Sequence, residues 1–123
     1  MATTYRVGVI GCGSMGRVHT AAWTNNPRSE VVALADVNKE AAQKLAEEFS
    51  VPATYTDYRE LLENETSLDA VVVATPDHWH APICTAGQKA GLHVYCEKPP
   101  SLPIANTRAL RELERTSKVV TQT

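Results

Sequence analysis

The sequence predicts an open α/β fold, a doubly wound parallel sheet with helices on both faces. Three observations lead there. Short β-branched, apolar runs alternate with longer amphipathic segments along the chain. Within the runs, apolar residues follow one another without polar alternation, as suits strands buried on both faces. Parallel neighbours need crossover connections, and the intervening helical segments supply them. The expected sheet has about six strands in the order 3-2-1-4-5-6.

Each element has its own signal. "YRVGVI" (5–10) is the first strand, and a glycine-rich turn after it opens a helix. "EVVALAD" (30–36) is the second strand. Residues 38–50 place Ala42, Leu45, Ala46 and Phe49 on one helical face behind Asn38, a suitable N-cap. "ATYT" (53–56) is a weaker third strand. "DYRELLEN" (57–64) begins with Asp57 and has Glu60 three residues later, a capping-box spacing. "DAVVVAT" (69–75) is the fourth strand. The helix over 80–91 stops at Gly91, and "HVYC" (93–96) is the fifth strand. Residues 101–118 form a helix with Pro103 near its start and Leu110 and Leu113 on one face. "VVTQT" (119–123) is the sixth strand.

Composition narrows the partners. At 123 residues the chain is the size of one domain, spanning 1–123. A net charge of −2 gives no basic footprint for nucleic acid. The apolar runs are far shorter than a membrane span. "MATTYRVGVIG" shows no secretory pattern. Three widely spaced cysteines argue for a reducing compartment, so a cytoplasmic location is expected.

"VGVIGCGSMGRVH" carries Gly11, Gly13 and Gly16 in G-x-G-x-x-G spacing between a strand and a helix. Gly11 permits the tight turn, Gly13 lets backbone amides approach a pyrophosphate, and Gly16 lets helix and strand pack closely. The helix dipole adds about half a positive charge for the phosphates. Ser14 and Met15, between the last two glycines, join the candidate contacts. Asp36 follows at the end of the second strand, where an acid hydrogen-bonds the ribose hydroxyls of an adenosine. Its charge opposes a 2′-phosphate by roughly 4 kcal/mol at about 4 Å. NAD is therefore the expected cofactor, and nearby Lys39 keeps NADP as the alternative. Cys12 reads as a small filler.

A second group belongs at the carboxyl ends of the fourth and fifth strands, beside the crevice where strand order reverses. Thr75 and Pro76 lie there, near the nicotinamide half of such a ligand. His78 and His80 flank Trp79 on a turn entering a helix. They are candidates for the cofactor and substrate pocket; the alternative is that Asp77 caps the helix and its neighbours pack. Imidazoles two apart on such a turn diverge, so no metal site is expected. His19 and His93 read as helix-surface and strand-start residues. Beyond the fifth strand come Glu97, Lys98 and Pro99. Beside a nicotinamide, Lys98 would hydrogen-bond a substrate hydroxyl and favour its alkoxide. Glu97 would orient that lysine or counter its charge. Spacing by itself leaves a solvated Glu–Lys turn equally open.

"GVIGCGSMG", "ALADVN", "VVVATPDHWHAP" and "VYCEKPPSL", in this order, closely resemble the N-terminal domain of the glucose–fructose oxidoreductase, inositol dehydrogenase and rhizopine-catabolism family. The resemblance covers essentially all 123 residues. It implies a Rossmann fold, a pyrophosphate loop at Gly11, Gly13 and Gly16, and Asp36 on the adenosine ribose. It further implies Thr75 and Pro76 against the cofactor and Lys98 as the catalytic residue beside nicotinamide and substrate. The implied reaction moves hydride between a sugar or polyol secondary alcohol and NAD(P). Family members carry a second α/β domain for substrate contacts and the oligomer interface, which residues 1–123 do not encode. The expectation is a cofactor-binding domain of such an oxidoreductase, tending to self-associate as a homo-oligomer, most simply a dimer. Two other readings are a dinucleotide-binding module without turnover and a relative of NAD-dependent glycosidases.

Overall fold

A computed structural model describes residues 4–75, 80–97, 111–112 and 121–122. Elements alternate as expected: β1 (Tyr5–Ile10), α1 (Ser14–Asn25), β2 (Ser29–Ala35), α2 (Lys39–Phe49), β3 (Ala53–Tyr55), α3 (Tyr58–Asn64), β4 (Ala70–Val73), α4 (His80–Lys89), β5 (His93–Cys96) and the short β6 (Thr121–Gln122). The strands form one six-stranded sheet, β3-β2-β1-β4-β5-β6, with every neighbouring pair parallel. The strand order therefore reverses between β1 and β4, where a crevice opens at the carboxyl ends. Of the helix expected over 101–118, only Arg111 and Glu112 are described, and both are helical. The rest of that segment lies outside the described residues.

The apolar strands bury both faces. One core cluster sets Val71, Val73, Val94 and Cys96 of the sheet against Leu61 of α3 and Ile83 and Cys84 of α4. The other sets Val7, Val9, Val31, Leu34 and Val72 against Ala42, Leu45 and Ala46 of α2, with Trp23 of α1 beside them. Alternate residues of β4, Val71 and Val72, thus enter opposite cores, as the two-residue period of a strand requires. The helical face read from residues 38–50 holds: Ala42, Leu45 and Ala46 are the buried residues of α2.

Local signals mostly place the boundaries. Asn38 caps α2 by accepting from the Ala41 amide. Asp57 caps α3, but its carboxylate takes the Arg59 amide at 2.8 Å and also grips the Arg59 guanidinium at 2.9 Å. Gly91 adopts φ +80° just after α4, as a helix stop requires. Two boundaries differ from expectation. β4 ends at Val73 rather than Thr75, because the Ala74 amide makes the last bond to Ile10 and the chain then turns out of the sheet. Ser50, read as the end of helix α2, is instead its left-handed cap at φ 56°, donating its amide to Ala46.

Ser50 is the described non-glycine residue with positive φ, a conformation that disfavours a Cβ by about 1 kcal/mol. Ser50→Gly is therefore expected to raise stability by about 1 kcal/mol, and Ser50→Val to lower it, in urea or thermal denaturation.

Candidate functional site

A cavity of about 660 Å³ occupies the crevice at the carboxyl ends of the strands. Its floor is the β1–α1 turn, with Ile10, Gly11, Gly13, Ser14 and Met15 all lining it. Asp36 and Val37 beyond β2 form one side, and Ala74 and Thr75 beyond β4 form the other. Residues 56–59, at the entry to α3, close the far end, an assignment the sequence reading missed. No spacing rule marks those four residues; only the sheet order brings the β3 exit beside Asp36.

The glycines have distinct roles. Gly11 sits at φ +103°, and a Cβ there would come within 2.6 Å of the Ala74 backbone. A Cβ on Gly16 would lie 1.8 Å from the Gly11 carbonyl oxygen, so α1 packs directly on the turn. A Cβ on Gly13 would meet nothing within 4 Å, leaving open space at the helix start. Gly13 is the N-cap of α1, where no side chain caps the first-turn amides. By contrast, α2 and α3 carry the side-chain caps Asn38 and Asp57. The start of α1 thus offers unmasked donors, the positive end of the helix dipole and room for a ligand.

Asp36 is fixed by its backbone surroundings. Its Oδ2 accepts from the Cys12 amide at 2.7 Å and its Oδ1 from the Asn38 amide at 2.8 Å. The carboxylate is thereby aimed over the glycine turn, with lone pairs left for hydroxyl donors. Cys12 packs behind it, 8% exposed, with Sγ 3.6 Å from the Ala35 carbonyl. Burial, and then the Asp36 charge, push the Cys12 thiol up to about 12.

Thr75 Oγ1 is buried without a hydrogen-bond partner among the described residues, on the cavity wall. A buried hydroxyl in that position is one a polar ligand would satisfy. His80, a candidate for the cofactor pocket, has a structural bond of its own. It is 1% exposed, and its Nε2 donates to the Thr75 carbonyl at 2.7 Å, so it supports the wall from behind. Lys39 faces a smaller cavity beside Thr54, Tyr55 and Glu60, outside the main crevice. Glu97, at the exit of β5, pairs with His19 of α1 at 2.7 Å. His19, read as a surface residue, is in fact only 13% exposed in its side chain. His93 is exposed at the start of β5, as expected. Pro76, His78 and Lys98 lie outside the described residues, as do Asp77, Trp79 and Pro99. Among the described residues, no group of metal-ligating side chains converges and no helix is long and apolar enough to cross a membrane.

This geometry meets its relatives in sequence. The description "oxidoreductase family, NAD-binding Rossmann fold" matches residues 5–123. The chain belongs to that family. It is 34% identical over 113 residues to a myo-inositol 2-dehydrogenase of Thermotoga maritima, covering 92% of this chain and 33% of that protein. It is 30% identical to a levoglucosan dehydrogenase of Pseudarthrobacter phenanthrenivorans, covering 93% of this chain and 31% of that one. Among solved structures, GenD2 from gentamicin A biosynthesis, in complex with NAD, superposes with a TM-score of 0.91 at 33% identity, covering 99% of this chain and 34% of that one. The chain therefore spans about a third of the length of the curated relatives it matches.

Gly16 and Gly13 separate by experiment. Gly16→Ala is expected to lower the thermal midpoint clearly, because the turn must shift to clear a Cβ. Gly13→Ala, whose Cβ meets nothing within 4 Å, should leave the stability within about 0.5–1 kcal/mol of wild type. Cys12 should resist iodoacetamide at pH 8 in the native protein, read by mass spectrometry, since its thiol stays protonated far above that pH.

Proposed function

We propose that this chain is the NAD-binding half of a dehydrogenase acting on a secondary alcohol of a sugar or polyol. The observation that carries the reading is the uncapped start of α1 under open space at Gly13, facing the fixed carboxylate of Asp36. The first-turn amides of α1 would hold the diphosphate, and Asp36 the hydroxyls of the adenosine ribose. Val37, Tyr58 and Arg59 would bound the adenine, and Thr75 the nicotinamide side. NAD, when bound, supplies the hydride acceptor.

In this reading, the protein's own groups handle position and proton. Lys98, directly after Glu97 in sequence, would accept the substrate hydroxyl proton. Pro76 and His78, close after Thr75 in sequence, would add contacts to the cofactor, and His80 steadies Thr75 through its carbonyl. Support for a polyol or sugar substrate comes from the inositol and levoglucosan dehydrogenases that this chain resembles. NAD is favoured over NADP because Asp36, held by the Cys12 and Asn38 amides, would oppose a 2′-phosphate on an adenosine ribose bound beside it, while Lys39 lines a second, neighbouring cavity. The reading includes a cytoplasmic location, supported by three unpaired, buried thiols. It also includes self-association, supported by Met15 and Val18, apolar and exposed on α1.

Calorimetry tests the cofactor site. Wild type should bind NAD and discriminate against NADP by about 100-fold or more, as expected for a carboxylate opposing a phosphate. Gly13→Val, which keeps the fold, should abolish measurable binding, and Asp36→Ala should lose the discrimination. NAD binding unchanged in Gly13→Val would refute the assignment. In a full-length dehydrogenase carrying this domain, Lys98→Met should lower kcat by roughly 10²–10⁴ while NAD affinity holds.

A further inference from the structure

His19 and Glu97 stand far apart in sequence and are read as unrelated from it. In the fold, Nε2 of His19 lies 2.7 Å from Oε2 of Glu97. A carboxylate only accepts, so the imidazole donates from Nε2. The pair is sheltered, with side-chain exposures of 13% and 24%, and the His19 ring also rests against Tyr95 of β5 at a centroid distance of 5.2 Å. Neither group belongs to the cavity wall described above.

Glu97 is anchored by three of its groups. Its amide donates to the Val73 carbonyl of β4 at 2.9 Å, its carbonyl accepts from the Cys96 thiol at 3.4 Å, and its carboxylate takes His19. The next residue in the chain is Lys98. His19 lies one and a half turns along the helix whose first turn opens on the cavity. One hydrogen bond therefore ties α1, whose start opens on the cavity, to the residue that follows β5 and precedes the lysine.

We propose that His19 is a positioning residue: by gripping the Glu97 carboxylate it clamps the exit of β5 onto α1 and so sets the reactivity of Lys98. The proposal rests on the reading of Lys98 as the proton acceptor. Its premise in the fold, the clamp itself, does not depend on NAD.

Variants of His19 in the 123-residue chain separate the clamp from mere packing. His19→Ala removes donor and ring, His19→Phe keeps a ring for Tyr95 without a donor, and His19→Gln restores a donor. Amide hydrogen exchange of Glu97 should quicken about tenfold in Ala and Phe and return toward wild type in Gln. Acetylation of Lys98 by acetic anhydride, read by mass spectrometry, should slow about threefold in Ala and Phe, because the carboxylate next to it in sequence no longer has the imidazole donor, and recover in Gln. NAD affinity should stay within about threefold throughout, since His19 does not line the cavity. Exchange and labelling that do not change in Ala, or that Phe restores and Gln does not, overturn the clamp. Failure of wild type to bind NAD would instead overturn the proposed function, and the exchange data would still decide the clamp.

Discussion

The structure depends on one close approach. Where α1 begins, its backbone lies so near the Gly11 carbonyl that a Cβ on Gly16 would sit 1.8 Å away. Only a glycine allows this, and the contact points the helix start at the mouth of the sheet. The positive φ of Gly11 brings the chain off β1 sharply enough to reach it. Because β4 neighbours β1 across the order reversal, the Ala74 backbone then closes against the same turn. Each glycine thus answers a different backbone neighbour.

Around that turn, polar groups are held by backbone rather than by flexible partners. Asp36 is locked by amides on both sides, from Cys12 and Asn38. A carboxylate held this way keeps its direction without waiting for a ligand, which reduces the ordering needed on binding. His80 steadies Thr75 from the other side. Rigid aim at both ends, and an unmasked helix start between them, suit a long polar ligand laid across the crevice.

Much of this was legible in the residues. The strand order followed from βαβ alternation, and the glycine turn and Asp36 followed from spacing, because handedness and backbone sterics leave few other solutions. The four-residue wall at 56–59 was not legible, since its relation to Asp36 runs through sheet order and not through chain distance. His19 was misread for a similar reason. Its helical neighbours Arg17 and Val18 are both exposed, and nothing local shows that a strand exit lies within reach. The support His80 gives to the Thr75 carbonyl was not legible either, because a ring at a helix start shows nothing locally of a partner five residues back.

By itself the sequence determined the parallel sheet and the two-sided cores, because apolar run length and glycine spacing act through short-range sterics and burial; the family came from the resemblance of four motifs in order. It determined the caps Asn38 and Asp57 for the same local reason. Tertiary structure alone decided which side chains spend their polar groups on the fold and which face the crevice. That division depends on distances between residues far apart in the chain, as between His19 and Glu97 or Cys12 and Asp36, and those distances exist only once the sheet has closed its order around β1 and β4.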